Sequence, residues 1–169
     1  MNKRLVLRLL GAIMLIEALA MAPSLAISLL YGDGDALALL SSMALLAALG
    51  FPAWRFAHPR EQNLRAREGF LVVALSWVLL SAFGALPFVI SGLIPNYIDA
   101  FFEAVSGFTT TGATVLGNFD GLPRGVMFWR SFTHWIGGMG VLVLTLALLP
   151  QMTGRSSHLV RAESPGPSL

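Results

Sequence analysis

A short polar run, Thr109-Thr110-Thr111-Gly112-Ala113-Thr114, has the residue types that present oxygen atoms to a bound species. Threonine brings a hydroxyl and a backbone carbonyl, and glycine permits backbone angles that other residues resist. The run lies between a short amphipathic segment, residues 99–108, and a long apolar segment, residues 126–150. From its composition it is either a tight polar loop or a place where backbone oxygens face a ligand.

The composition indicates an integral membrane protein. Of the 169 residues, 56% are hydrophobic and 12% are charged, whereas an average soluble domain carries roughly 25% charged residues. The net charge of +2 arises from scattered arginines rather than a basic patch, which argues against a nucleic-acid partner. Because the chain has no cysteine, it has no disulfide, no thiolate metal site and no thiol nucleophile.

Four apolar stretches are long enough to cross a lipid bilayer as helices, which requires about 20 residues each. They run from about Leu5 to Leu30, from Ala36 to Trp54, from Gly69 to Ile94 and from Val126 to Leu149. Pro87 predicts a kink in the third stretch, because proline removes a backbone donor and clashes with the preceding turn.

The segment before the polar run is too short to span. A helix over residues 97–107 extends only about 16 Å, roughly half the hydrocarbon thickness. We expect Asn96 to cap this helix and Asp99 to add negative charge where the helix dipole favours it. A half-length helix followed by a polar return predicts a re-entrant loop, which survives at membrane depth only when buried in protein or lining a watery cavity.

The basic residues indicate the orientation, since they favour the cytoplasmic side of a membrane. They cluster before the first span, between the second and third, and after the fourth: Lys3, Arg4, Arg8; Arg55, Arg60, Arg65, Arg67; Arg155, Arg161. All three clusters share one side only if there are four full spans and one re-entrant segment. We therefore expect both termini in the cytoplasm and the polar run opening outwards.

These elements predict an all-α integral membrane fold with an N-terminal helical hairpin and one helix–pore loop–helix repeat of the potassium-channel-like kind. We assign residues 1–57 to the transmembrane hairpin and 58–68 to a cytoplasmic loop. Residues 69–152 form the repeat, and 153–169 a cytoplasmic tail that we expect to be truncated. In such a repeat, backbone carbonyls replace the water around a potassium ion.

A collinear set of motifs covers nearly the whole chain. FFEAVSGFTTTGAT at 101–114 is accompanied by REGF at 67–70, GALPF at 84–88, FWR at 128–130, WIGGMG at 135–140 and RAESPGP at 161–167. In this order the motifs resemble the TrkH family of bacterial potassium-uptake proteins, in the Trk/Ktr/HKT superfamily. That family has an N-terminal hairpin and four helix–pore loop–helix repeats, of which this chain resembles the hairpin and the first repeat.

The resemblance implies K⁺ uptake at the bacterial inner membrane by a multi-pass protein embedded in the lipid bilayer. It implies H⁺ or Na⁺ as a candidate coupling ion and no cofactor besides the transported K⁺. It also implies a homodimeric membrane part and a cytosolic TrkA-type nucleotide-binding regulatory subunit. One repeat supplies one of four filter walls, so we expect the chain alone not to conduct. The alternative is a non-conducting truncated or scaffold fragment.

By the same resemblance, Thr110, Thr111, Gly112 and Ala113 are the residues expected to line the K⁺ filter. Glu103 and Arg130 are expected to pair behind the filter and support it. The alternative is that Arg130 reaches the outer headgroups while Glu103 faces water. No other metal site is expected.

Two further ionisable residues lie in apolar spans. Glu17 is a functional candidate because acids are costly at membrane depth, but the simpler interpretation is a protonated or hydrogen-bonded carboxyl group. His134 is interpreted as hydrogen-bonded within the packing rather than as a proton relay. With Ser106 and Glu103 it fits no hydrolase spacing, so we predict no enzyme and no catalytic residue.

Three glycines, Gly137, Gly138 and Gly140, fall in the last span. Small residues let membrane helices approach closely. We interpret these glycines as packing residues rather than as a hinge.

Overall fold

The computed structural model describes residues 2–57 and 66–140, and within these ranges the regular structure is entirely helical. The helices are α1 (Lys3–Ala20), α2 (Ala22–Tyr31), α3 (Ala36–Phe56), α4 (Ala66–Gly84), α5 (Leu86–Ile90) and α6 (Tyr97–Phe108). A further helix, α7, covers residues 124–140. Most of the predicted cytoplasmic loop, the end of the fourth span and the predicted tail lie outside the described residues.

Three helical stretches in the described ranges are long and apolar enough to cross a membrane: Lys3–Tyr31, Ala36–Phe56 and Glu68–Ile90. They coincide with the first three predicted spans to within a few residues. The predicted fold class, an all-α membrane protein, is confirmed.

The first span bends where α1 meets α2. Pro23 lies in the first turn of α2 and has no backbone N–H to donate to the preceding turn. The helical hydrogen bonding nevertheless continues up to the bend, because Met21 N donates to Glu17 O at 3.1 Å. The two helices therefore form one bent span.

The kink predicted at Pro87 is present between α4 and α5. Phe88 N donates to Ala85 O at 3.1 Å instead of bonding Gly84 O. The Gly84 carbonyl accepts a hydrogen bond from the indole Nε1 of Trp129 at 2.9 Å. A neighbouring helix thus satisfies the carbonyl that the bend releases, as membrane depth requires.

The N-terminal hairpin is held by a close crossing of α1 and α3. A Cβ atom added at Gly11 would lie 2.7 Å from Trp54 N and 2.8 Å from Gly50 O. One added at Gly50 would lie 2.9 Å from Gly11 O. The two backbones therefore touch, which only small residues allow.

The core packs the end of α6 against α7. Trp129, Phe88 and Phe108 are among the largest fully buried side chains. The rings of Phe108 and Trp129 meet edge to face, with centroids 6.3 Å apart, a favourable aromatic arrangement. Because Phe108 is the last residue of α6, this contact fixes the position at which the polar run begins.

We expect Gly11→Ala to destabilise the hairpin, because the added methyl would overlap the α3 backbone. Overpacking of this kind costs about 1–3 kcal/mol, which would appear as a lower Tm of the purified protein in detergent. Gly138→Ala is the matched control, since a Cβ there would have its nearest neighbour 3.8 Å away. An unchanged Tm in Gly11→Ala would contradict the close crossing.

Candidate ion-coordinating loop

The half-length helix α6 begins as the sequence predicts. The side-chain oxygen of Asn96 accepts from Ile98 N at 3.0 Å, and Asp99 lies in the first turn. The helix has 12 residues, which gives a length of about 18 Å. It is too short to cross a bilayer, so the residues that follow it lie where a polar backbone needs partners.

A Schellman motif closes the C-terminal end of α6. Thr110 N donates to Gly107 O and Thr111 N donates to Ser106 O, both at 2.9 Å, the two bonds that define the motif. Thr110 takes a left-handed φ of 58°, a position where glycine is usual and a β-branched residue is an outlier. Strained backbone of this kind clusters at functional sites. The polar run therefore begins as a helix cap held in a costly conformation.

The carbonyls of the next residues remain available. Among the described residues, no donor bonds the backbone oxygens of Thr110, Thr111 or Gly112. Gly112 has a left-handed φ of 78°, which glycine adopts at little cost. All three residues are exposed in this chain. The amides of Thr110 and Thr111 thus close the turn, while the carbonyls of all three residues have no donor within the described residues.

Two buried side chains fasten the returning segment to α6. Ser106 Oγ donates to Ala113 O at 2.6 Å. Glu103 Oε2 accepts from Thr114 Oγ1 and from Val115 N, both at 3.0 Å. The carbonyl of Ala113 is therefore engaged with Ser106, unlike the three carbonyls before it.

The role of Ser106 was missed in the sequence, where it entered only as a member of a rejected catalytic triad. The available signal was its spacing from Glu103. Residues three apart share a helix face, so a serine and a glutamate at this spacing before a polar return both face the segment that they fasten.

Glu103 also joins the loop to α7. Its side chain is fully buried, and its second oxygen, Oε1, pairs with Nε of Arg130. The guanidinium carbon of Arg130 lies 5.3 Å from the centre of the Phe119 ring. The two side chains expected to pair are thus in contact. Both oxygens of the buried carboxylate are satisfied, which offsets the cost of removing the charges from water.

Of the three predicted packing glycines, Gly137 lies where the backbones of α6 and α7 come close together. A Cβ added at Gly137 would lie 2.0 Å from Phe108 O. One at Gly140 would meet the Trp77 ring at 3.3 Å, and Gly138 has its nearest neighbour at 3.8 Å. The backbone of α7 therefore touches the end of α6 at Gly137.

The two ionisable residues in apolar spans have different surroundings. Nδ1 of His134 lies 3.0 Å from Arg130 O in the same helix, which agrees with the packing interpretation. The buried carboxyl oxygens of Glu17 have no hydrogen-bond partner within the described residues. Glu17 lines an apolar cavity of about 370 Å³ together with Phe108 and Trp135.

The chain is similar in sequence to cation transport proteins. The family model TrkH, described as a cation transport protein, matches residues 37–169. The Trk system potassium uptake proteins TrkH of Halomonas elongata and Escherichia coli K12 are 39% and 40% identical to it. Each alignment covers 99% of this chain and 35% of the relative, so the chain spans about a third of those relatives' length.

A solved structure has a similar fold. The crystal structure of the potassium transporter TrkH from Vibrio parahaemolyticus superposes with a TM-score of 0.82 at 38% identity. The superposition covers 89% of this chain and 32% of that chain.

We expect Glu103→Ala to loosen the returning segment, because Val115 N–H loses its acceptor and Arg130 its partner. The loss of such buried bonds costs about 1–3 kcal/mol, so amide exchange over residues 113–116 should quicken by about 5-fold or more in hydrogen–deuterium exchange mass spectrometry. Glu103→Gln, which keeps an acceptor oxygen, should give an intermediate rate.

Ser131→Ala is the control for that measurement. Ser131 is exposed on α7, and its hydroxyl donates only to Met127 O at 3.2 Å among the described residues. Exchange over residues 113–116 should be unchanged in this variant. Equal exchange in Glu103→Ala and the unsubstituted protein would show that the carboxylate does not fasten the loop.

Proposed function

The chain belongs to the TrkH family of cation transport proteins, and on that basis we propose that it takes part in K⁺ uptake across the bacterial inner membrane. Its relatives are named potassium uptake proteins. The observation that carries the proposal is the run of free carbonyls at Thr110, Thr111 and Gly112, which follows the cap of a half-length helix.

These carbonyls are the proposed ligands of the ion. K⁺ leaves its water only where other oxygens replace the hydration shell, and successive backbone carbonyls have the required charge and spacing. The dipole of α6 adds partial negative charge at its C-terminal end. Because the Schellman motif occupies the carbonyls of Ser106 and Gly107 and the carbonyl of Phe108 lies against Gly137 of α7, the proposed ligands come from the loop rather than from the last turn of the helix.

The proposed role of this chain is one wall of a filter with four walls. A single loop presents oxygens to one side of an ion, and a dehydrated ion needs oxygens around it. Ala113 was expected to be the fourth lining residue. Since the Ala113 carbonyl accepts a hydrogen bond from Ser106, we propose that Ala113 lies at the end of the filter segment, just after the three residues with free carbonyls.

Glu103 and Arg130 are the proposed supports of this wall. Their contact fixes α6 relative to α7, and the second oxygen of Glu103 holds Thr114 and Val115. No atom of either side chain needs to touch the ion. Their proposed effect is to keep the three free carbonyls in one conformation.

The finer parts of the assignment follow from the family resemblance. They are a homodimeric membrane part, a cytosolic TrkA-type nucleotide-binding subunit, and coupling to H⁺ or Na⁺. A further part of the proposal, that both termini lie in the cytoplasm, rests on the clustering of basic residues on one side of the predicted spans.

A chimera tests the proposed function directly. This chain would replace the segment that it aligns with in the E. coli TrkH protein, over 169 residues at 40% identity. We expect the chimera to restore growth at low K⁺ to an E. coli strain that lacks K⁺ uptake. The chain alone, at the same abundance in the membrane, should not restore growth, because one wall cannot surround an ion.

The outcomes of this test distinguish the proposed function from its alternative. A chimera that reaches the membrane in normal amount and carries no K⁺ would favour the alternative, a non-conducting scaffold fragment. Growth supported by the chain alone would contradict the assignment of a single wall.

We expect Gly112→Ala in the chimera to weaken K⁺ binding and K⁺/Na⁺ discrimination. A left-handed backbone costs a residue with a Cβ about 1–2 kcal/mol, which corresponds to a rise in the KM for K⁺ of about 5-fold or more. The measurement is uptake over a range of K⁺ concentrations, with and without competing Na⁺.

Gly121→Ala is the matched control. Gly121 has a similar left-handed φ of 74° and equally open surroundings, but it lies outside the proposed ligands, residues 110–112. It should leave the KM unchanged. Equal effects of the two substitutions would contradict the filter assignment.

A further inference from the structure

The turn between α2 and α3 supplies acceptors to the first amides of α7. Asp33 Oδ2 accepts from Arg124 N at 2.9 Å, and Asp35 Oδ2 accepts from Val126 N at 2.7 Å. The first N–H groups of a helix have no acceptor within the helix. Carboxylates at that end also complement the helix dipole. The N-terminal hairpin thus caps a helix of the pore repeat.

The contact around Asp35 is closely packed. Asp35 is buried, and its other oxygen, Oδ1, accepts from the hydroxyl of Ser28. A Cβ added at Gly125 would lie 2.6 Å from Ser28 Cβ and 2.7 Å from Asp35 Oδ2. Only a glycine at position 125 lets α7 come this close to the hairpin.

An exposed contact adds to the buried one. The guanidinium carbon of Arg124 lies 4.4 Å from the centre of the Tyr31 ring, within the range of a cation–π interaction. Tyr31 is the last residue of α2. The hairpin therefore holds the start of α7 through side chains from the end of α2 as well as from the turn.

The capped end of α7 lies one helical turn from the residue that holds the loop. Val126 and Arg130 are four residues apart, so they lie on the same face of the helix. Arg130 pairs with Glu103, whose second oxygen binds Thr114 and Val115. A displacement of the start of α7 would therefore move Arg130 and, through Glu103, the returning segment.

We propose that Asp35 is a positioning residue for the ion-coordinating loop. By fixing the start of α7, the hairpin sets the conformation of the free carbonyls, although it contributes no ligand of its own. The hairpin thereby tunes K⁺ affinity and K⁺/Na⁺ discrimination. This effect on ion binding rests on the proposed function, whereas the mechanical coupling between Asp35 and the loop does not.

The effect on ion binding is tested in the chimera by Asp35→Ala and Asp35→Asn. Asp35→Ala removes the acceptor of Val126 N–H. We expect the KM for K⁺ to rise by about 5-fold or more, discrimination against Na⁺ to fall, and the maximal rate per copy in the membrane to change less. Asp35→Asn keeps an acceptor oxygen and should restore both KM and discrimination to near the unsubstituted values.

Asp120→Ala controls for the loss of one negative charge. Asp120 is exposed just before α7, and its carboxylate accepts no hydrogen bond within the described part of the chain. The KM of the Asp120→Ala chimera for K⁺ should be unchanged. The proposal is overturned if Asp35→Ala lowers only the amount of protein in the membrane, or if Asp35→Asn is as impaired as Asp35→Ala.

The mechanical coupling is tested by hydrogen–deuterium exchange on the same purified variants. In Asp35→Ala we expect faster exchange both at residues 124–128 and at the distant residues 113–116, by about 5-fold or more. Faster exchange at residues 124–128 alone would overturn the proposal, because the cap would then be local. If the chimera carries no K⁺ at all, the proposed function fails while this measurement still decides whether Asp35 positions the loop.

Discussion

A single buried carboxylate connects the elements of this pore repeat. Glu103 lies in the half-length helix, and one of its oxygens pairs with Arg130 of α7 while the other binds Thr114 and Val115 of the returning segment. A buried charge is stable only when it is paired and hydrogen-bonded, and here three contacts meet that condition at once. The conformation of the loop therefore depends on where α7 lies, and not on the loop sequence alone.

The backbone hydrogen bonds of the described residues show which carbonyls around the loop are already engaged. At the bend before Pro87, the released Gly84 carbonyl accepts from Trp129. At the end of α6, a Schellman motif satisfies the carbonyls of Ser106 and Gly107. The carbonyls of Thr110, Thr111 and Gly112 accept no hydrogen bond within the described residues, and they directly follow the capped end of the half-length helix. Their position after the helix end, together with the lack of a donor, makes them the candidates for an external partner such as an ion.

The features that could be predicted from the sequence have short-range or compositional causes. The spans follow from apolar length, the cap at Asn96 from its position before an amphipathic segment, and the bend from Pro87. The contact between Glu103 and Arg130 was proposed because the two opposite charges fall towards the same side of the membrane on neighbouring elements. Each of these follows from residue type and local spacing.

The features that could not be predicted depend on atoms that only the fold brings together. The Schellman motif has threonine where glycine is the usual signal, so Thr110 gave no indication of a left-handed backbone. The bond from Ser106 to Ala113 O needs the reversal of the chain at Gly112. The contact of Asp35 with Val126 N joins residues 91 positions apart, and no periodicity links them.

The hairpin and the repeat, which the sequence separates by a polar loop, share one core. Met14 and Leu39 of the hairpin belong to the same buried cluster as Phe88 and Trp129 of the repeat. The two parts also meet at Gly84, where an added Cβ would lie 2.8 Å from the Phe108 ring and 3.2 Å from Glu17 Oε1. Because Phe108 immediately precedes the polar run, the hairpin contacts the repeat both behind the end of α6 and at the start of α7. A loop with free carbonyls has few contacts of its own to hold it, so its rigidity has to come from the helices on either side. The hairpin contacts α7 directly and lies behind the end of α6 across Gly84 of α4.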